Sequence, residues 1–167
     1  MLKKNRIGIK AADFTFILST GELQNLWDIS AKYTLLLFYD PDCIYCRQSM
    51  MELSESSIIN SFLQHSGLSL SQLALVTICM EGEIDMWKEY QQSLPSVWIN
   101  GYDVRKVLTE KELYFLRSLP SIYLLGEDKQ VLLKEPSSIS EVTSYLLNKY
   151  DDCLLYTSPS PRDKRQS

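Results

Sequence analysis

Residues 33–51 read Tyr33-Thr34-Leu35-Leu36-Leu37-Phe38-Tyr39-Asp40-Pro41-Asp42-Cys43-Ile44-Tyr45-Cys46-Arg47-Gln48-Ser49-Met50-Met51. The unbroken apolar run from Leu35 to Tyr39 has the pattern of a strand buried on both faces of a sheet. Asp40, Pro41 and Asp42 end it, as turn formers and helix starters do. Beyond the two cysteines the period becomes helical, with Met50, Leu53, Ile58 and Phe62 falling roughly on one face. A Cys-x-x-Cys pair therefore stands where a buried strand hands over to a helix N-terminus.

That position has chemical meaning. A helix start carries unpaired N–H groups and the positive end of the dipole, and both favour a thiolate at Cys43 over a thiol. Residues three apart on a helix share a face and come close enough for a disulfide. Cys43 can then attack a substrate disulfide and Cys46 resolve the mixed disulfide. A buried structural pair and half of a zinc site are the alternatives that a bare Cys-x-x-Cys leaves open.

The 167 residues, 45% hydrophobic and 11% aromatic, support one well-packed domain over 1–150 with short extensions. A net charge of −4 gives no footprint for general nucleic-acid binding. No apolar run approaches the roughly 20 residues of a membrane span. Lys3, Lys4 and Arg6 are basic, but Lys10 and Asp13 prevent a continuous apolar stretch after them, so the start does not read as a signal peptide. The chain is expected to be cytosolic, or a mature piece of an exported protein. Four unevenly spaced cysteines make no disulfide framework; Cys79 and Cys153 stand apart from the pair.

The other elements take their places in order around the central strand. Phe14, Phe16 and Leu18 alternate with Thr15 and Ile17, and Ser19-Thr20-Gly21-Glu22 is a turn signal, predicting a hairpin within about 8–28. Ser54 to Ser57 are placed to break or kink the long helix. His65, the single histidine, precedes Ser66-Gly67 and reads as a helix C-terminal residue. Leu73 to Cys79 is a second buried strand, and the helix between the two strands makes them a parallel pair. Glu83 to Gln92 predicts a short helix, with Met86, Trp87 and Tyr90 on one side. Val97 to Asp103 is expected to be a connection with a turn at Asn100-Gly101, and Leu108 to Leu116 another short helix. Ser118-Leu119-Pro120-Ser121 leads into Ile122 to Leu125, Gly126 to Lys129 turns, and Gln130 to Lys134 returns as a hairpin. Ser138-Ile139-Ser140-Glu141 is a capping-box pattern opening a final helix. Residues 151–167 lose any period and are expected to be disordered, with a composition that also fits a non-native tail.

Strung together, this order resembles the thioredoxin superfamily: an α/β fold with a central mixed sheet flanked by helices and an N-terminal β-hairpin extension. More closely, it is similar to the TlpA/ResA-like branch of exported thiol-disulfide oxidoreductases. The resemblance covers about residues 8–149. It rests on Ala12-Asp13-Phe14, on Leu37 through Cys46 and on Leu119-Pro120-Ser121-Ile122-Tyr123-Leu124-Leu125. It implies an enzyme that exchanges disulfides with protein substrates through catalytic Cys43 and Cys46. Pro120 matches the family's cis-proline; with Leu119 and Tyr45 it would shape the substrate-docking groove, leaving backbone near Leu119 free to pair with an extended peptide. The expected partners are protein thiols and disulfides and an upstream redox partner. No nucleic acid, cofactor or metal is expected, and membrane contact only through an anchor outside this chain. The resemblance implies an exported, periplasmic setting; a true start at Met1 would make it cytoplasmic.

The departures bear on tuning. Asp42 stands where many relatives have a tryptophan, Ser49 where many have a glutamate, and Met50 and Met51 near a usual proline. Asp42 and Asp40 are acidic neighbours of Cys43, which Arg47 offsets. The competing readings are weaker. A peroxiredoxin needs threonine where Asp40 stands, and a metal site would have to recruit His65 or Cys79. The rival of a different class is a thioredoxin-fold adaptor that binds partners without turnover.

Overall fold

The computed structural model describes residues 5–64, 71–114, 116 and 118–157. In chain order the elements are β1 (Thr15–Leu18), β2 (Leu23–Asn25), a 3-10 turn (Leu26–Asp28), β3 (Ala31–Tyr39), α1 (Ile44–Glu55), α2 (Ser57–Gln64), β4 (Ser71–Cys79), α3 (Ile84–Gln91), β5 (Ile99–Tyr102), α4 (Val107–Glu110), β6 (Ser121–Leu125), β7 (Val131–Lys134) and α5 (Ile139–Thr157). The chain divides into two units, Met1–Pro136 and Ser137–Ser167.

In the first unit the strands form one mixed sheet, ordered β2-β1-β5-β4-β3-β6-β7. Leu35 to Tyr39 are all fully buried, as a strand covered on both faces requires. Each such side chain contributes roughly 1.5–3 kcal/mol of burial. β3 pairs parallel with β4, and β4 parallel with β5. These two crossovers run in the same direction, so their right-handedness puts α1, α2 and α3 on one face. Leu35, Leu37, Tyr39, Leu75 and Cys79 point to that face by strand alternation. The opposite face carries Leu36, Phe38, Val76 and Ile78, which join Phe14, Phe16, Leu108, Tyr114 and Tyr123 in one apolar cluster. Aromatic rings meet there edge-on or tilted: Phe14 and Tyr114 lie 5.7 Å apart, and Tyr114 and Tyr123 5.3 Å.

The serines divide the long helical stretch. Ser56 is extended (φ −73°, ψ 117°), and its N–H donates to the Leu53 carbonyl, closing α1. Its Oγ then accepts from Ile59 N–H as α2 opens. The predicted helix end at His65-Ser66-Gly67 lies outside the described residues. β1 and β2 form the antiparallel hairpin, with Thr15 opposite Asn25, but it is shorter than the 8–28 expected. The preceding chain does a different job. Gly8 N–H donates to Val131 and Ala11 N–H to Lys129, both at 2.8 Å, covering the outer edge at β7. Asn5 pins that arm: buried, it donates to Leu113 O and accepts from Ala12 N–H, each at 2.8 Å.

Two further expectations change. Asn100-Gly101 is not a turn but the middle of β5, paired with β4 and β1. The glycine is there for close approach, because a Cβ on Gly101 would run into the Phe16 ring and Ile78 Cδ1. The helix expected over Leu108 to Leu116 shrinks to α4, whose N–H groups at Val107 and Leu108 are capped by the buried Asp103 carboxylate at 3.1 and 3.2 Å.

The second unit holds α5. Its start is a shifted capping box: Glu141 accepts from Ser137 N–H at 3.0 Å and from Ser137 Oγ at 3.1 Å. α5 runs through 151–157, the first part of the stretch expected to be disordered. Leu154 and Leu155 are good helix formers, and Pro159 is the first residue that stops a helix. Residues 158–167 lie outside the described residues. Among the described residues no helix is long and apolar enough to cross a membrane.

Gly101→Ala is expected to lower stability by about 1–3 kcal/mol, the usual cost of overpacking a filled core. Urea denaturation checks this as a lower midpoint at an unchanged m-value. An unchanged midpoint would mean that the Phe16 ring yields freely.

Candidate active site

The turn after β3 is built by Asp40. Its carbonyl accepts from Cys43 N–H at 3.0 Å, and its Oδ1 accepts from Asp42 N–H at 2.9 Å. The chain thus arrives at Cys43 in an extended conformation (φ −85°, ψ 119°), and Cys43 is the N-cap of α1. Its Sγ accepts the N–H of Cys46 at 3.2 Å, taking the place an oxygen usually fills. Arg47 N–H donates to the Cys43 carbonyl at 3.1 Å, the first full turn of the helix. On its other side the Cys43 thiol donates to the Leu119 carbonyl, at 3.6 Å. The Leu119–Pro120 peptide bond is cis.

The two sulfurs are both free thiols, and they differ in access. Cys43 is half-buried, whereas Cys46 is fully buried one turn behind it. Burial is the main cause that pushes the Cys46 thiol up. The hydrogen bond with Cys43 adds to the rise, and a hydrogen bond from the Asp40 backbone opposes it. Cys79, at the end of β4, is the strand partner of Tyr39 and equally buried. Its Sγ donates to Glu81 O at 3.1 Å, and burial pushes its thiol up to about 11. The face beneath the turn is completed by Tyr39, Tyr90, Trp87 and Tyr102, with ring pairs at 5.8 and 5.5 Å.

Cys43, Cys46, Leu119 and Pro120 thus come together from separate stretches of sequence. Tyr45, 69% exposed, projects from the first turn of α1 beside them, as does Ile44. Asp42 is exposed. Arg47 is exposed too; its Nε donates to Pro41 O at 2.6 Å, and its guanidinium lies 5.6 Å from the Tyr90 ring centre. The carboxylate whose charge reaches both Cys46 and Cys79 is that of Asp40. The sequence marks Asp40 as a turn former and an acidic neighbour of Cys43, and the structure extends its influence to Cys46 and Cys79; Lys106 has a role that the sequence does not single out. Lys106 has a left-handed backbone (φ 55°), donates to Met80 O at 3.1 Å and opposes the rise at Cys79. Nothing in a connecting segment signals a lysine in that conformation. His65 lies outside the described residues. Among the described residues no group of three or more His, Cys, Asp and Glu side chains is placed to hold a metal ion.

No family model matches the chain, and neither does any curated protein. Solved structures do. The chain is similar to a thioredoxin-like protein from Bacteroides caccae, with 34% identity and a TM-score of 0.81 over 87% of this chain. It spans 50% of that protein's length. It is also similar to the C-terminal domain of an uncharacterized protein from Bacteroides fragilis: 36% identity, TM-score 0.79, covering 86% of this chain and 98% of that one. The chain belongs to the thioredoxin superfamily. A further likeness, to a domain of a possible thiol-disulfide isomerase from Cytophaga hutchinsonii, has 22% identity and a TM-score of 0.72 over 93% of this chain and 99% of that one. At that identity it speaks for the thioredoxin fold alone. The fold explains why the strand end, the helix start and the Leu119–Pro120 bend converge.

The raised Cys79 thiol has a consequence for stability. Its folded pKa of about 11 exceeds its ordinary value of 9.0, so the unfolded chain releases this proton first as pH rises. The contribution, about 2–3 kcal/mol, is fully present below pH ~9 and is lost as pH climbs toward 11. Urea denaturation between pH 8 and pH 11 is expected to show a steeper loss in the native chain than in Cys79→Val. Equal slopes would refute it.

Proposed function

We propose that the protein is a thiol-disulfide oxidoreductase acting on protein disulfides, with Cys43 as the attacking thiol and Cys46 as the resolving one. The observation that carries this is the asymmetry of the pair: one sulfur half-exposed at a helix N-terminus, the other sealed one turn behind and hydrogen-bonded to it through its backbone N–H.

In the proposed cycle the Cys43 thiolate attacks one sulfur of a substrate disulfide. A mixed disulfide forms and one substrate thiolate leaves. The Cys46 thiolate then attacks the Cys43 sulfur, releasing the second substrate thiolate and closing the Cys43–Cys46 disulfide. Two electrons pass from the dithiol to the substrate, and the two thiol protons end on the substrate thiols. An upstream dithiol partner reverses the change in the protein. Ser49 offers no carboxylate, and Asp40, whose charge reaches Cys46, is positioned to influence the loss of its proton. Asp42 and Arg47 flank the pair and tune it. Leu119, Pro120 and Tyr45 form the rim on which an extended substrate backbone would lie, the Leu119 carbonyl already facing the Cys43 sulfur. The resemblance to the TlpA/ResA-like branch supports an exported, periplasmic setting.

Insulin reduction with a dithiol donor tests the assignment. Cys43→Ala is expected to fall to the uncatalysed background. Cys46→Ala is expected to accumulate a mixed disulfide with the substrate, visible as a covalent adduct by mass spectrometry. A Cys43→Ala variant that keeps full turnover would sink the mechanism, and a wild-type protein with no turnover would favour an adaptor role.

A further inference from the structure

Between α1 and α3 runs a groove of about 410 Å³, lined by Arg47, Met50, Met51, Tyr90, Leu94 and Trp98 among others. It is apolar along most of its length. Met51 is 60% exposed, while Met50 and Trp98 are buried and form the floor. Unbranched, polarizable methionine side chains adapt to varied apolar partners. At the end nearest Cys43 stands one cation. Arg47 is held in place by Pro41 O and the Tyr90 ring, and among the described residues no carboxylate pairs with it. The acidic side chains Asp40 and Asp42 lie in the turn before Cys43, so a negative group approaching the site is drawn to the Arg47 side.

The spacing turns this into a register. Arg47 and Met51 come four and eight residues after Cys43 on one helix. At 1.5 Å rise per residue that is about 6 and about 12 Å. An extended chain covers about 3.3 Å per residue, so those points lie roughly two and four residues from a cysteine engaged at Cys43. We propose that the α1–α3 groove docks the segment of a substrate polypeptide next to its reacting cysteine, with a carboxylate toward Arg47 and an apolar side chain on Met51. This rests on Cys43 being the attacking thiol, and it adds the class of substrate: an extended acidic-then-apolar segment.

Short peptides test it, each carrying one cysteine as a mixed disulfide with 2-mercaptoethanol. One set has Asp two residues and Leu four residues before the cysteine; a second has them after it. Control peptides replace Asp by Lys or Leu by Ser. In single-turnover reduction by the dithiol protein, one of the two sets is expected to favour Asp over Lys by about threefold, the scale of an exposed ion pair. The same set should favour Leu over Ser by a similar factor. Arg47→Gln should erase the first ratio and Met51→Ser the second; because ratios are compared, a general change in Cys43 reactivity cancels. Equal rates for all peptides in both sets would overturn the docking site and leave the redox mechanism standing. A second measurement needs no chemistry: the same peptides with serine for cysteine should shift the Trp98 indole N–H resonance in the wild type but not in Arg47→Gln. Binding of this kind without turnover would refute the redox mechanism and, with it, the substrate reading of the groove. Absence of both binding and discrimination would refute the groove.

Discussion

The hydrogen bond from Cys46 N–H to the Cys43 sulfur ties the local architecture together. It makes a side chain the cap of its own helix, so the start of α1 and the placement of the outer sulfur are one event. For the cap to form, the chain must leave β3 in an extended conformation and turn sharply, and Asp40 arranges that turn with both its carbonyl and its carboxylate. The turn in turn needs a rigid anchor. β3 supplies it, paired on both sides and buried on both faces, so the cap sits on a central strand of the sheet.

Chain direction supplies the next constraint. β3, β4 and β5 advance the same way across the sheet, and handedness then forces α1 and α3 onto a common face. Were β5 placed on the other side of β3, α3 would lie on the opposite face and no groove would run beside α1. The insertion of β5 between β4 and β1 is allowed by Gly101, whose missing side chain gives room to the Phe16 ring of the neighbouring strand. A single small residue on one face of the sheet thereby shapes a surface on the other.

Much of this was legible in the sequence because it depends on local patterns. The leucine run, the Asp-Pro-Asp break, the serine cluster and the Gly126–Lys129 turn each act over a few residues, and each marks the boundary of an element found in the fold. What escaped depends on distant partners. Asn100-Gly101 has the chemistry of a turn, and only the presence of Phe16 across the sheet makes it a strand. The length of α5 escaped for a different reason: an aperiodic stretch that ends polar reads as disorder, although no helix breaker stands between Asp151 and Pro159. At the site, the cysteine pair announces itself by spacing, and Pro120 only through the resemblance to the thioredoxin superfamily. Asp40 announces itself only as a turn former and a neighbour of Cys43; its reach to Cys46 and Cys79, and that of Lys106 to Cys79, come from where strands end in space rather than from any motif.

The order of events in the proposed exchange is set by access, and the burial that limits access also opposes ionisation of the inner thiols. Three thiols crowd the carboxyl ends of β3 and β4, and two of them are wholly buried with ionisation opposed by their surroundings. A substrate disulfide is bulky and needs an approach along the line of the bond it breaks, so it reaches Cys43 alone. Cys46 needs no such approach, because its target is the sulfur one turn away. Its withheld ionisation is then an advantage: a sealed thiol does not compete for the substrate, and acts once the mixed disulfide has brought a leaving group to its neighbour. Cys79 shares the burial, but it sits on β4 rather than α1 and its thiol is turned to the Glu81 carbonyl. Under this reading burial alone does not make a resolving thiol; burial at one helical turn from the attacking sulfur does.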